Sequence, residues 1–205
     1  MIKYCMPKNK ETIALDYISL HGLARPKDLE AYGIKREHLQ RLSKKGLIEK
    51  VTRGVYRKTN AQVSAQCGMA EVSKRVPGCI ICLFSALQFH EIGTELPGKV
   101  WIAVRRGAWH PRINYPPIET VSFSDALINN GVAEYKIDGV LVKITTVART
   151  VADCFKFRNK IGLDVALESL KDVLTKKRCT IMELSEAAEQ CRVSKIIRPY
   201  IEALI

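Results

Sequence analysis

The strongest constraint on the fold comes from residues 22–58, near the beginning of the chain. This stretch reads GLARPKDLEAYGIKREHLQRLSKKGLIEKVTRGVYRK. Proline suits the first turn of a helix, as Pro26 would here, and glycine suits the position just after a helix, as at Gly33 and Gly46. The pattern predicts short helices, a turn and a small β-hairpin in that order, which is the order of a winged helix-turn-helix. We predict such a domain for residues 1–60.

The third helix of this domain, predicted from about Lys35 to Lys45, is the part that would enter a DNA groove. Steps of 100° per residue place Leu39 and Leu42 on one side, with His38 at its edge, and polar residues on the other. Arg and Gln side chains can bind guanine and adenine edges with paired hydrogen bonds, and Lys suits phosphates. The alternative is an ordinary solvated basic helix. The predicted DNA-binding residues of this helix are Lys35, Arg36, Gln40, Arg41, Lys44 and Lys45.

A predicted hairpin follows, with strands at Leu47–Val51 and Val55–Lys58 and a turn that contains Arg53 and Gly54. In a winged helix, the hairpin presents its tip to the DNA backbone or the minor groove. Arg53 and Arg57 are therefore predicted phosphate contacts, although Arg57 could equally be a solvated strand residue.

The net charge of +12 is distributed unevenly along the chain. Residues 1–60 contain 14 Lys and Arg against 6 Asp and Glu, whereas residues 61–205 contain 19 against 15. Such a distribution suits a phosphate-binding module joined to a more neutral domain, and a solubilising charge is the alternative. Beyond residue 60, the loop residues Arg105, Arg106 and Arg112 could extend a surface for DNA or an acidic protein, or form a solvated rim.

The composition is that of a folded protein. At 205 residues, 47% hydrophobic and 26% charged, the chain suits two globular domains. Every apolar run is shorter than the roughly 18 residues of a membrane helix, and the first ten residues lack the apolar core of a signal peptide. We therefore expect a cytoplasmic location. The seven cysteines have no regular spacing and are predicted to be buried thiols.

The sequence of residues 61–205 predicts a second domain. The predicted fold class of the whole chain is α+β. The Asp138-Gly139 pair between two alternating segments is the strongest hairpin signal of the chain. We expect a mostly antiparallel sheet followed by a helical C-terminal part. The predicted elements are a helix over 61–75, a helix over 85–91, strands over 100–106, 118–123, 132–137 and 140–144, and helices from residue 146 onward.

Catalytic and metal-binding motifs are sparse. Asp125, Glu134 and Lys136 resemble the set with which many nucleases hold Mg²⁺ and activate water, but Asp125 suits the first turn of a helix equally well. Cys79 and Cys82 have no second pair of ligands nearby, which favours core packing over zinc. We therefore predict a protein without enzymatic activity, metal or cofactor, with a Mg²⁺-dependent nuclease as an alternative.

Two groups of residues resemble one known family. The first group is Asp28-Leu29, Gly33-Ile34, Leu39, Arg41-Leu42, Gly46 and Arg53-Gly54-Val55-Tyr56; the second is Val100-Trp101-Ile102-Ala103-Val104, Phe123-Ser124, Ile137-Asp138-Gly139-Val140 and Ala148 through Lys156. Both are similar to the AbiEi-type antitoxins and transcriptional regulators of type IV toxin–antitoxin systems, which act in abortive infection.

This resemblance implies a repressor that binds operator repeats in double-stranded DNA upstream of its own operon. It also implies a C-terminal domain that counters a toxin of nucleotidyltransferase type without forming a stable complex with it. No motif of the family places the antitoxic surface on particular residues. A further alternative is a winged-helix repressor whose C-terminal domain binds an effector or a partner and has no antitoxin role.

Overall fold

A computed structural model of the chain describes residues 9–204. The described residues divide into two compact units. The first runs through Pro77 and also includes Lys136–Leu141, and the second contains Gly78–Tyr135 and the chain from Val142 onward. The predicted domains, residues 1–60 and residues 61–205, are segments that would each fold independently, and this division stays a prediction.

The first unit has the element order expected from its sequence. Gly33 and Gly46 adopt positive φ angles of 67° and 70° at the predicted helix ends. The last helix begins at Cys67, so the predicted start at residue 61 was wrong. The elements are α1 (Lys10–His21), β1 (Leu23–Ala24), α2 (Pro26–Leu29), a 3₁₀ turn (Glu30–Tyr32), α3 (Arg36–Lys44), β2 (Ile48–Thr52), β3 (Val55–Lys58) and α4 (Cys67–Arg75).

The strands of this unit form a small antiparallel sheet in the order β1-β3-β2. The helices pack over the sheet around one buried cluster, to which α1 contributes Ala14 and Ile18 and α3 contributes Leu39 and Leu42. Tyr56 of β3 is also buried in this cluster. The hydrophobic contacts therefore join α3 to α1 and the sheet along one side of the helix.

The second unit is built on a five-stranded sheet in the order β6-β5-β4-β8-β7. Strand β4 pairs antiparallel with β5 and parallel with β8, and β5 pairs parallel with β6. The elements up to the end of the sheet are β4 (Ile80–Ile81), α5 (Leu83–Phe89), β5 (Val100–Arg105), β6 (Ile118–Phe123), α6 (Asp125–Ile128), β7 (Val132–Ile137) and β8 (Val140–Thr145).

The α+β class is confirmed, but the prediction of a mostly antiparallel sheet was wrong, because the sheet is mixed. Alternation within a strand shows which residues share a face, and it contains no information on the direction of the neighbouring strand. Parallel neighbours require a connection of a dozen or more residues. Residues 106–117 supply that length between β5 and β6.

The helical C-terminal part is confirmed. Its capping box is present as predicted, since the Glu183 amide donates to Thr180 Oγ1 at 3.1 Å and the Thr180 amide donates to Glu183 Oε2 at 2.7 Å. Among the helices within residues 9–204, none combines the length and the apolar composition needed to cross a bilayer. The helices are α7 (Val147–Lys156), α8 (Arg158–Ile161), α9 (Leu163–Thr175), α10 (Ile181–Cys191) and α11 (Ser194–Leu204).

The cysteines in the described part of the chain form no disulfide bond. Four of them are buried, at positions 79, 82, 154 and 191, as predicted. Cys67 and Cys179 are only partly buried, so the prediction was too broad for these two. Cys5 lies outside the described residues.

A fully buried arginine lies at the centre of the second unit. Arg149 of α7 places Nε 2.9 Å from Asp153 Oδ1, and both side chains are inaccessible to solvent. Its Nη1 donates to the carbonyl oxygens of Leu127 at 3.1 Å and Asn130 at 2.6 Å. The guanidinium carbon lies 4.9 Å from the centre of the Phe123 ring. One cation thus connects α7 to the end of β6 and to the segment around α6.

Gly131 allows the backbone to pass close to this arginine. It has a φ of 61°, and an added Cβ would lie 2.8 Å from Arg149 Cβ. Gly107 has a φ of 81° with open space around it, so it is a matched control. We expect Gly107→Ala to cost about 1–2 kcal/mol from backbone strain alone. Gly131→Ala should cost a further 1–3 kcal/mol or so, because the core becomes overpacked.

Both tryptophans of the chain, Trp101 and Trp109, belong to the second unit, so urea unfolding followed by tryptophan fluorescence measures the relevant free energy. Equal losses for the two alanine variants would show that the overlap with Arg149 is relieved at no cost.

Candidate nucleic-acid interface

Helix α3 has a buried side and an exposed side, as its sequence predicts. Leu39 and Leu42 are completely buried, and His38 is partly buried at the boundary. Six predicted DNA-binding residues lie exposed on or beside this helix: Lys35, Arg36, Gln40, Arg41, Lys44 and Lys45. Because the apolar contacts fix one side of α3, the polar side faces solvent as a set.

The start of α3 is fixed by backbone contacts. Gly33 follows the 3₁₀ turn in the left-handed region, which lets the Ile34 amide donate to the Leu29 carbonyl at 3.2 Å. Ile34 is buried. The Lys35 amide donates to His38 Nδ1 at 3.2 Å, which satisfies one of the free amides at the helix N-terminus. These contacts set the angle at which α3 leaves the turn.

Asp28 organises the helix that precedes α3. Its carboxylate accepts hydrogen bonds from the Arg25 amide at 2.9 Å and from Arg25 Nη2 at 2.8 Å, and it lies 2.9 Å from Lys74 Nζ. Burial opposes ionisation of this carboxyl, but the hydrogen bonds from Arg25 and Lys74 outweigh that effect and lower its pKa to about 2. Asp28 therefore joins α2 to α4 at neutral pH.

The six residues of α3 differ in how their charges are engaged. Lys45 Nζ lies 2.7 Å from Glu11 Oε2 on α1, and this hydrogen bond lowers the pKa of Glu11. The side chains of Arg36, Gln40 and Lys44 form no hydrogen bond or ion pair with other residues of the described chain. These three are spaced four apart and so lie in one row along the helix. A ligand could therefore bind these three side chains without any existing contact being broken.

The hairpin is present close to its predicted position, with β2 beginning at Ile48 rather than Leu47. Arg53 and Gly54 form its turn, and Gly54 has a φ of 76°. Arg53 is exposed, and within residues 9–204 its side chain has no acidic partner. Arg75 Nη1 donates to Thr52 Oγ1 at 2.8 Å, which fixes the end of β2 to α4. The turn therefore presents an exposed positive charge at a position that the contact with α4 fixes.

Arg57 is in a different environment. It is half-buried on β3, with Nη2 2.7 Å from Glu49 Oε1 and Nη1 3.9 Å from Glu71 Oε1. Burial raises the pKa of Glu71, and Arg57 acts in the opposite direction. A phosphate at Arg57 would have to compete with two carboxylates, which sets this residue apart from the other seven predicted contacts.

One exposed basic residue near the turn was missed by sequence reasoning. Lys50 lies on β2 opposite the buried Tyr56, and the register shifts between Lys50 and Thr52. The bulge interrupts the alternation by which strand faces are read from sequence. A strand lysine close to an Arg-Gly turn is the signal that could have identified it.

The two carboxylates of the nuclease alternative, Asp125 and Glu134, have ordinary surface partners. Asp125 Oδ1 lies 3.3 Å from Arg105 Nε, and Glu134 Oε1 lies 4.0 Å from Lys143 Nζ. Within residues 9–204, no group of three or more His, Cys, Asp and Glu side chains is arranged to hold a metal ion. Ion pairs of this exposed kind are common on protein surfaces and contribute little to stability.

The exposed helix and turn lie within a segment that matches a known family. Residues 14–57 match the family model described as transcriptional regulator, AbiEi antitoxin. The resemblance to the AbiEi antitoxins is thereby confirmed for this segment. The match begins within α1 and ends within β3, so it contains all of α3 and the hairpin turn. No curated protein is significantly similar to the chain.

The AbiEi match stops at residue 57, and the resemblance seen in the second group of residues, from Val100 to Lys156, stays a prediction. The family is one of regulators and antitoxins.

The contacts of Asp28 predict a pH dependence of local stability. A carboxyl whose pKa falls from 3.8 to about 2 on folding stabilises the fold above about pH 4, and the effect is lost as the pH falls to about 2. At pH 7, Asp28→Asn should lower the free energy of opening by about 2 kcal/mol. Hydrogen exchange of the α2–α3 amides at pH 7, 4 and 2 measures this energy.

Glu37→Gln is the control, because Glu37 is exposed on the neighbouring helix α3 and its side chain forms no hydrogen bond or ion pair with other residues of the described chain. If Asp28→Asn weakens the segment equally at pH 7 and pH 2, the loss arises from packing rather than from the charge.

Proposed function

We propose that this chain is a winged helix-turn-helix repressor that binds specific double-stranded DNA through α3. The exposed row of Arg36, Gln40 and Lys44, opposite a buried leucine side, is the observation that carries this proposal. The match of residues 14–57 to a family of transcriptional regulators supports it. A major groove about 12 Å wide admits a helix, and these side chains would then point at base edges and phosphates.

The proposed contacts divide into two kinds. Arg36, Gln40 and Arg41 would read base edges, because arginine and glutamine form paired hydrogen bonds to guanine and adenine. Contacts to phosphate would position the helix without reading sequence. The proposed phosphate contacts are Lys35, Lys44, Lys45 and Arg53, with Lys50 added from the structure, and Arg57 would join them only by displacing Glu49 and Glu71.

The proposed DNA target is a set of operator repeats upstream of the chain's own operon. This follows from the AbiEi resemblance, in which the antitoxin represses its own expression. The concentration of positive charge in residues 1–60 supports binding to a polyanion, and the resulting affinity should fall steeply with salt.

Substitutions on α3 should separate base reading from backbone binding. Arg36→Ala, Gln40→Ala or Arg41→Ala should each lower affinity for the upstream DNA by about 5-fold to 150-fold, the range of a lost base contact. Affinity for a scrambled duplex should change far less. Gel-shift titrations on both duplexes measure the two affinities. Lys171→Ala, an exposed lysine of the second unit, is the charge-matched control. Equal affinity of the unmodified chain for the two duplexes would refute sequence-specific binding.

The two arginines of the hairpin provide a sharper comparison. Arg53→Gln should weaken binding to every duplex and reduce the slope of log affinity against log salt by about 1. Arg57→Gln should leave that slope unchanged if Glu49 and Glu71 already neutralise its charge. An equal change of slope in both variants would instead assign Arg57 to the DNA contact.

We also propose that the chain is the antitoxin of a type IV system and that its C-terminal part counters a nucleotidyltransferase toxin without a stable complex. The AbiEi match supports an antitoxin, and the exposed α3 supplies a means to separate this role from repression. The double variant Arg36→Ala, Arg41→Ala should lose repression of a reporter fused to the upstream DNA. It should still restore growth to cells that express the neighbouring gene, which this proposal expects to encode a nucleotidyltransferase.

The unmodified chain and the Lys171→Ala chain are the controls, and protein levels are matched by immunoblot. Loss of growth protection together with repression would show that protection depends on DNA binding. Absence of protection by the unmodified chain would favour the other interpretation, a repressor whose C-terminal part binds an effector or a partner.

A further inference from the structure

The connection between β5 and β6 is a segment without helix or strand that is held at both ends, here called the strap (residues 106–117). The Arg106 amide donates to the Phe123 carbonyl at 2.7 Å, and the Val100 amide donates to the Pro117 carbonyl at 2.8 Å. Because β5 and β6 are parallel, the strap has to return along the length of both strands. Strand β6, to which the strap leads, is an edge strand of the sheet.

Two further contacts hold the strap to the unit. Pro116 is buried, and His110 Nε2 lies 3.3 Å from Ser122 Oγ on β6. Three prolines, at 111, 116 and 117, restrict the backbone further. A restrained segment loses little conformational entropy when a ligand binds to it.

Two aromatic side chains of the strap are exposed. Trp109 is 75% exposed and Tyr115 is 64% exposed. The other tryptophan, Trp101, packs against Phe84 with ring centres 5.2 Å apart. Tryptophan is highly buried on average, so such exposure is unusual and is a mark of binding surfaces.

The strap is also basic. It contains Arg106 and Arg112 and no Asp or Glu, and Arg105 precedes it at the end of β5. Arg105 Nε lies 3.3 Å from Asp125 Oδ1, whereas the side chains of Arg106 and Arg112 have no acidic partner in the part of the chain described. The exposed rings are thus accompanied by cations that have no competing carboxylate.

We propose that the strap is a binding site for single-stranded nucleic acid. Exposed aromatic rings stack on unpaired bases while cations follow the backbone, and this combination tolerates many sequences. In a duplex the bases already stack on one another, so the rings would contribute little. The site lies in the second unit and does not require α3, which makes it additional to the operator contact.

Tryptophan fluorescence tests the proposal directly, because stacking on a base quenches the ring. The full chain is titrated with oligo(dT) and oligo(U) of about 12 nucleotides, within the usual site size of one such module. We expect quenching in the unmodified chain and none in Trp109→Phe, in which Trp101 is the remaining tryptophan. The two oligonucleotides distinguish a DNA site from one that needs the 2′-hydroxyl.

Affinities follow from the anisotropy of labelled oligonucleotides. Trp109→Ala should weaken binding by at least about fivefold, the lower range for a lost stacking contact. Arg112→Gln should reduce the slope of log affinity against log salt by about 0.7. Leu96→Ala, at an 81% exposed apolar residue of the same unit, should change neither quantity. The Arg36→Ala, Arg41→Ala chain should bind both oligonucleotides as the unmodified chain does.

The results separate this site from the proposed operator contact. Loss of oligonucleotide binding in the α3 variant would assign it to the first unit and overturn the proposal. Equal affinity in Trp109→Ala would overturn it as well. No binding at low salt would also refute it and would leave the strap as a surface for an acidic protein. None of these outcomes changes the duplex gel shift, which tests α3 separately.

Discussion

The second unit depends on the burial of one positive charge. Moving a guanidinium out of water costs several kcal/mol, so the core around Arg149 is stable only where acceptors replace the lost water. Asp153 and the carbonyls of Leu127 and Asn130 do so within hydrogen-bonding distance, although Arg149 Nη2 and Asp153 Oδ2 have no partner in the described chain. Two of these acceptors belong to the segment around α6. Consequently, the position of that segment is fixed by an electrostatic requirement as well as by packing.

Burial also disfavours the negative charge on the carboxylate of this pair. Burial raises the pKa of Asp153, while the neighbouring Arg149 acts to lower it. Cys191 of α10 donates its thiol to the same carboxylate at 3.4 Å. Removal of the arginine would leave a buried carboxyl with one weak donor, a change that typically costs about 3–5 kcal/mol. The pair therefore favours a single arrangement of α7 and α10, because alternative packings would leave a charge unpaired.

Sequence reasoning succeeded where the signal is local. The leucine side of α3, the turn at Arg53 and Gly54, and the Thr180 capping box all depend on residues within a few positions of one another, and helix and turn geometry fix such contacts. The partners that distant elements bring to Arg57 and Lys45 were not predictable in this way. Glu71 lies on α4 and Glu11 on α1, and no short-range rule brings them to those cations.

The prediction of antiparallel strand pairing was wrong for the same reason. Strands β5 and β6 each show the expected run of residues, but their parallel pairing depends on the path of the strap between them. Arg149 and Asp153 are one helical turn apart in the sequence, and tertiary packing makes them interior. Lys50 was missed because a bulge shifts the register of β2. In each case, contacts made by distant parts of the chain determine the outcome.

The reactivity of the buried thiols reports how often the second unit opens. Burial raises the pKa values of Cys82, Cys154 and Cys191, for Cys191 to about 12, so the reactive thiolate is scarce at neutral pH. Alkylating reagents attack the thiolate, and they need access that the closed fold denies. Peptide mass spectrometry of alkylated cysteines would therefore measure the rate at which the core around α7 opens. Partly buried Cys67 would supply the reference rate for a thiol outside that core.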